Sequence, residues 1–168
     1  MTLAVVCGNP KPKSRTLEAA CFVGERLYGA PPDVVLDLVE LGPGLLRWGD
    51  PTVSAAVESV QHCDVAIFAS PTYKGTYTGL LKLFLDQFAS DSLASTLAFP
   101  LMLGAAMGHA MAPDLLLKPV LVELGATCPA RGLYLLETDY TSEAIIEPWV
   151  ARAKPFINVR LARPASQA

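Results

Sequence analysis

Two short stretches concentrate the residues able to do chemistry. The first is Gly8-Asn9-Pro10-Lys11-Pro12-Lys13-Ser14-Arg15-Thr16, which sets hydroxyls, an amide and cations just ahead of a segment with helical periodicity. At a helix start the first-turn N–H groups have no intrahelical partner, and Asn9, Lys11, Ser14, Arg15 and Thr16 around them suit a terminal phosphate. The same residues equally describe plain N-capping by Ser14 beside solvated Lys11, Lys13 and Arg15. The second stretch, Pro71-Thr72-Tyr73-Lys74-Gly75, leaves an apolar strand and leads into another helix. Backbone amides around Tyr73 and Lys74, flanked by Thr72 and Tyr73, can meet the acceptor edge of a planar ring. Read alone, it is also an ordinary strand-to-helix turn with a surface tyrosine. A third loop, Leu103-Gly104-Ala105, is small enough for a flat ring to approach its backbone, or for tight packing. A phosphate cradle and a ring shelf in one small α/β chain point to a mononucleotide, and FMN matches both ends.

Other chemistries find less support. There is no GxGxxG turn for a dinucleotide and no GxxxxGK[ST] phosphate loop. The cysteines Cys7, Cys21, Cys63 and Cys128 follow neither CxxC nor zinc spacing and read as structural. No metal site is expected. His109 reads as a structural donor in a helix-start loop, and Asp114 as a first-turn carboxylate. A net charge of −3 without a basic stripe argues against nucleic acid. Apolar runs broken by Gly, Pro, Asp or Lys argue against a membrane span, and the first strand lacks the marks of a signal peptide, so the expected location is the cytoplasm.

The elements that must position these loops follow from the hydrophobic pattern. The 168 residues, 52% apolar and 17% charged, suit one domain over 1–163 with a frayed polar tail over 164–168. Strands are predicted at Thr2–Cys7, Val34–Leu38, Val65–Ala69, Ala98–Gly104 and Arg131–Leu136. Helices are predicted at Ser14–Tyr28, Ser54–His62, Tyr77–Ala89, Pro113–Leu124 and Ser142–Val159, with residues 39–53 as a loop. Pro119 is expected to kink its helix or leave one backbone bond unmade. This alternation predicts a three-layer flavodoxin-like sandwich whose five parallel strands run in the order 2-1-3-4-5. Ligands of such sheets sit beyond the carboxyl ends of the strands, where the three loops would converge. The helices over 77–89 and 115–124 are apolar on more than one face, which predicts a homodimer or homotetramer.

The sequence resembles the NADPH-dependent FMN reductase family from about residue 2 to 137. Gly8-Asn9-Pro10-Lys11 through Ser14-Arg15-Thr16 is similar to that family's GSPR-x-x-SRS phosphate loop. Pro71-Thr72-Tyr73-Lys74 through Tyr77-Thr78-Gly79-Leu80-Leu81-Lys82 is similar to its PVYK-xxYSG-xLK ring-binding signature. Pro100-Leu101, Gly104, His109, Asp114 and Leu117-Lys118-Pro119-Val120-Leu121 resemble the family's fourth strand and following helix. The likeness is greatest to flavin reductases that feed two-component sulfonate monooxygenases. Two positions depart: Leu103-Gly104-Ala105 stands where that subgroup usually reads TGG, and Leu115 where relatives carry an aromatic. The resemblance implies an NAD(P)H:flavin oxidoreductase using FMN with NADPH or NADH, and a partner monooxygenase that receives reduced flavin. It places FMN at Asn9, Lys11, Ser14, Arg15, Thr16, Pro71, Thr72, Tyr73, Lys74, Gly75, Gly104 and Ala105. No side chain is required as acid or base, because hydride transfer belongs to the flavin. A reductase with tightly held FMN acting on quinones, azo or nitro compounds or metal oxyanions is the alternative, and a flavodoxin-like electron carrier the second.

Overall fold

Apolar, β-branched-rich segments that return after each helix have one economical solution, a parallel sheet covered on both faces. The computed structural model, which describes residues 1–161, shows that sheet. Its strands are β1 (Leu3–Cys7), β2 (Val34–Asp37), β3 (Val65–Pro71), β4 (Leu97–Gly104) and β5 (Leu133–Leu136). All pairings are parallel, in the expected order β2-β1-β3-β4-β5. Every residue of β1, β3 and β4 is buried, which is why they read as continuous apolar runs rather than alternating ones.

Alternate strand residues feed two cores. Ala4, Val6, Ala66, Phe68, Ala98 and Met102 face α2 (Pro51–Gln61), α3 (Gly79–Leu85) and α4 (Lys118–Glu123). Leu3, Val5, Val65, Ile67, Phe99 and Leu101 face α1 (Arg15–Tyr28) and α5 (Glu143–Leu161). Because β1 lies between β2 and β3, the order in which strands are added reverses at β1/β3, and the loops leaving β1, β3 and β4 emerge side by side.

Several boundaries differ from those read in the sequence. The stretch expected as a loop over 39–53 contains 3₁₀ turns over Leu38–Leu46, broken at Gly42 where φ is 52°. Helix α2 begins at Pro51 instead of Ser54, because Asp50 Oδ1 accepts from the amides of Thr52 and Val53 and Pro51 needs no donor in the first turn. Helix α3 is shorter than Tyr77–Ala89: Thr78 caps it, and beyond Leu85 the bonds tighten to Gln87 N→Phe84 O and Phe88 N→Leu85 O. β5 starts at Leu133, after the Gly132 amide has bonded Asp114 Oδ1 at 2.9 Å. The helix expected over Pro113–Leu124 is a wide π turn, Pro113–Leu117, followed by α4. Pro119 thus falls in the first turn of α4, immediately after the π turn, where the regular helix is already interrupted. No helix among the described residues is long and apolar enough to cross a membrane. The tail expected over 164–168 lies outside the described residues.

Candidate active site

The loop after β1 is folded by its own polar groups. Asn9 Oδ1 accepts from the Lys11 amide at 2.9 Å, while Asn9 Nδ2 donates to Thr16 Oγ1 at 3.0 Å. Ser14 caps α1, its Oγ accepting from the Leu17 amide at 3.3 Å. The capping role of Ser14 is therefore real, and buried Thr16 has a structural partner too. Each hydroxyl also carries an O–H that can donate, that of Ser14 having Cys7 Sγ as a neighbour at 3.7 Å. Lys13 adopts φ 50°, and its amide donates to Asp37 Oδ2 at 2.9 Å, pinning the loop to the end of β2. Burial pushes the Asp37 carboxyl up, against the Lys13 amide that favours its charged form, and its Oδ1 is buried without a partner.

The loop after β3 is tighter than a plain crossover. Tyr73 and Thr76 pair as an antiparallel bridge, exchanging bonds of 2.9 and 3.2 Å, with Lys74 at φ 53° and Gly75 at φ 84° between them. Two positive φ values in a two-residue turn give the I′ geometry, for which glycine at the second position is favoured. The Tyr73 amide is consumed inside the turn, so it cannot meet a ring edge as expected; the amides of Lys74 and Gly75 are left at the tip. His109 lies against this tip, since a Cβ on Gly75 would sit 3.6 Å from its ring.

The two loops are tied together. The Gly8 amide donates to Ala69 O at 2.8 Å, and Thr78 Oγ1 donates to Gly8 O. The Thr78 amide donates to Ser70 Oγ at 3.0 Å. Gly8 must be glycine because a Cβ would run into Leu81, 3.0 Å from its Cα and 3.1 Å from its amide nitrogen.

A cleft of about 540 Å³ runs along this junction. Of the expected residues, Asn9, Lys11, Ser14, Arg15, Thr16, Pro71 and Tyr73 line it. Thr72, Lys74, Gly75, Gly104 and Ala105 stand outside that wall. Gly104 has a packing role: a Cβ would overlap the Tyr134 hydroxyl, which donates to Ala106 O at 2.8 Å. Ala105 is exposed, and Thr72 Oγ1 is buried without a partner. The wall also includes Pro12, Lys13 and Leu103, from loops already singled out in the sequence, and Glu137, which sequence reasoning missed. Glu137 follows β5 directly, so its place at a strand's carboxyl end was the available signal. The Glu137 carboxylate Oε2 lies 3.2 Å from the Arg15 guanidinium.

The remaining candidates point elsewhere. Asp114 accepts from the Gly132 amide and pairs with Lys118 and Arg131 at 3.6 and 3.7 Å, a structural tie at a helix start. Burial raises all the thiols, Cys7 and Cys128 to about 11, so they stay protonated and unreactive near neutrality. The described residues hold no group of His, Cys, Asp and Glu able to bind a metal. The donor set fits FMN: cations and helix amides at one end of an open cleft, and Tyr73 with Pro71 and Leu103 at the other, the Lys74–Gly75 tip lying next to that wall.

Comparison with known proteins gives the relatives of the chain. FMN reductase (NADPH) of Escherichia coli strain K12 is 31% identical over 138 residues, spanning 80% of this chain and 72% of that protein. NADH-dependent FMN reductase SfnF of Pseudomonas fluorescens is 33% identical over 119 residues, 68% of this chain and 62% of that one. Among solved structures, the apo form of the NADH:FMN oxidoreductase EMOB superposes with a TM-score of 0.85 at 26% identity, covering 98% of this chain and 92% of that one. Residues 1–141 match the family described as NADPH-dependent FMN reductase, and the chain belongs to that family.

Proposed function

We propose that this protein reduces FMN as a diffusible substrate, drawing hydride from NADPH or NADH, and releases it to a partner monooxygenase. The chain is an NAD(P)H:flavin oxidoreductase of its family. The observation that carries the finer reading is an open cleft joining the cation-rich loop after β1 to the Tyr73 turn after β3. When bound, the flavin supplies the hydride acceptor.

The chain's own residues bind and orient. Lys11, Arg15 and the first amides of α1 would hold the phosphate, with the O–H groups of Ser14 and Thr16 as further donors. The Lys74 and Gly75 amides would hold the polar ring edge, and Tyr73 would flank it. No acid or base is needed at the site. The relative SfnF is named an NADH-dependent FMN reductase, a name under which FMN is the group reduced, and this supports reading FMN as substrate. Exposed Met111, Leu115 and Leu116 line one small hollow beside the Gly75 turn, and we propose that a second copy of the chain covers it. Light scattering at micromolar protein tests this, and a strict monomer refutes it.

The activity test uses purified, flavin-stripped protein with NADH or NADPH in air, with and without FMN. Turnover that requires FMN and saturates with it supports the substrate reading. FMN that binds without turnover refutes it and favours a carrier. Arg15→Ala should weaken FMN by about ten-fold while leaving riboflavin, which lacks the phosphate, nearly unchanged. Equal effects on the two flavins refute the phosphate assignment.

A further inference from the structure

Glu137 is an acidic side chain on the wall of a cleft whose other charged residues, Lys11, Lys13 and Arg15, are cations. Its backbone is fixed, because the Glu137 amide donates to Gly104 O at 3.1 Å at the edge of the sheet. From there its carboxylate lies 3.2 Å from one Arg15 nitrogen, while its carbonyl accepts from the other at 3.4 Å. The two side chains are 58% and 40% exposed, so the pair adds little to folding stability. Its effect falls instead on whatever else Arg15 can bind.

We infer that Glu137 is a specificity-determining residue that lowers the affinity for phosphate-bearing flavin by competing with the phosphate for Arg15. The inference rests on reading the cleft as the FMN site. An incoming phosphate, carrying nearly two negative charges at neutral pH, must take the guanidinium from a carboxylate already seated on it. Lys11 and Lys13 still attract the anion, but the strongest planar donor is given up only in exchange for breaking the pair. A flavin held this loosely leaves after reduction, as a substrate should. Riboflavin has no phosphate to compete, so Glu137 narrows the difference between the two flavins without touching the ring.

The test is equilibrium titration of FMN and riboflavin, followed by flavin fluorescence, on the full chain and on Glu137→Gln, Arg15→Ala and the double variant. Glu137→Gln should tighten FMN by about three- to ten-fold and leave riboflavin within about two-fold. In the Arg15→Ala background the gain should largely vanish, since nothing remains to compete for. Unchanged or weaker FMN binding in Glu137→Gln overturns the inference, as does riboflavin following FMN. An equal gain without Arg15 also overturns it, because Glu137 would then act by direct repulsion. Each of those results leaves the FMN reading standing. FMN that binds none of the four proteins removes the reading and the inference together.

Discussion

Gly104 separates two explanations for a glycine at a strand end: room for a ligand, or room for another side chain. A Cβ built on Gly104 overlaps the Tyr134 hydroxyl and lies 2.9 Å from Tyr134 Cζ and 3.3 Å from Thr72 Oγ1. Gly104→Ala must therefore drive the tyrosine out of place, breaking its 2.8 Å bond to Ala106 O. The lost bond is worth about 1 kcal/mol, and overpacking a filled site adds about 1–3 kcal/mol. The expected loss is about 2–4 kcal/mol, a fall in Tm of roughly 5–15 °C for a domain of this size. Tyr134→Phe removes the overlapping atom at a cost of about 1 kcal/mol. In the double variant the alanine should then cost at least about 1 kcal/mol less than it does alone. Urea unfolding of the wild type, both single variants and the double variant gives the coupling. Additivity within about 0.5 kcal/mol refutes the packing argument and returns Gly104 to the ligand.

Further outcomes follow from the same contacts. Gly8→Ala sets a Cβ against the backbone of Leu81, which has no soft end to yield, and pulls Thr78 from Gly8 O. It should cost about 3–5 kcal/mol in urea unfolding, and a loss below about 1 kcal/mol would show that α3 is free to retreat. Asp37 gives a pH signature. Its folded pKa is raised above 3.8 by burial, so its ionised form is penalised only in the native state. That penalty is absent at pH below the unfolded value and grows as pH rises through the folded one. The Tm of Asp37→Asn relative to wild type should thus move in the variant's favour from about pH 4 to 7, and a flat or opposite trend refutes the assignment.

The fold was legible because burial on both faces writes β1, β3 and β4 as unbroken apolar runs, and a helix after each forces a parallel sheet. Helix ends were less legible where the cap lay outside the periodic stretch. Asp50 and Pro51 start α2 ahead of its first buried residue, Val53, and Thr78 delays α3 past the apolar-looking Tyr77. At the candidate site, the loop after β1 could be read because its residues are consecutive and its bonds are local, Asn9 to Lys11 and Thr16 among them. What could not be read were partners brought in by the sheet. Lys13 meets Asp37 across 24 residues and Arg15 meets Glu137 across 122. No local pattern marks such pairs. The glycines show the same limit from the other side: Gly75 answers to its own φ, but Gly8 and Gly104 answer to Leu81 and Tyr134.

These contacts also bear on how tightly a ligand should bind. The loops after β1 and β3 form one unit, through Gly8 to Ala69 and through Thr78 to both Gly8 and Ser70. The Tyr73 turn closes on itself. Little ordering is left to occur when a ligand arrives, and a preorganised site of this kind favours tight binding. A reductase that must release its flavin needs an opposing influence that does not loosen the scaffold. On the proposed reading, the Glu137 carboxylate beside Arg15 would meet that need, because it would act on the phosphate alone and leave the strand-end hydrogen bonds intact. Substitution at residue 137 is thus expected to shift flavin affinity without altering the fold that presents either loop.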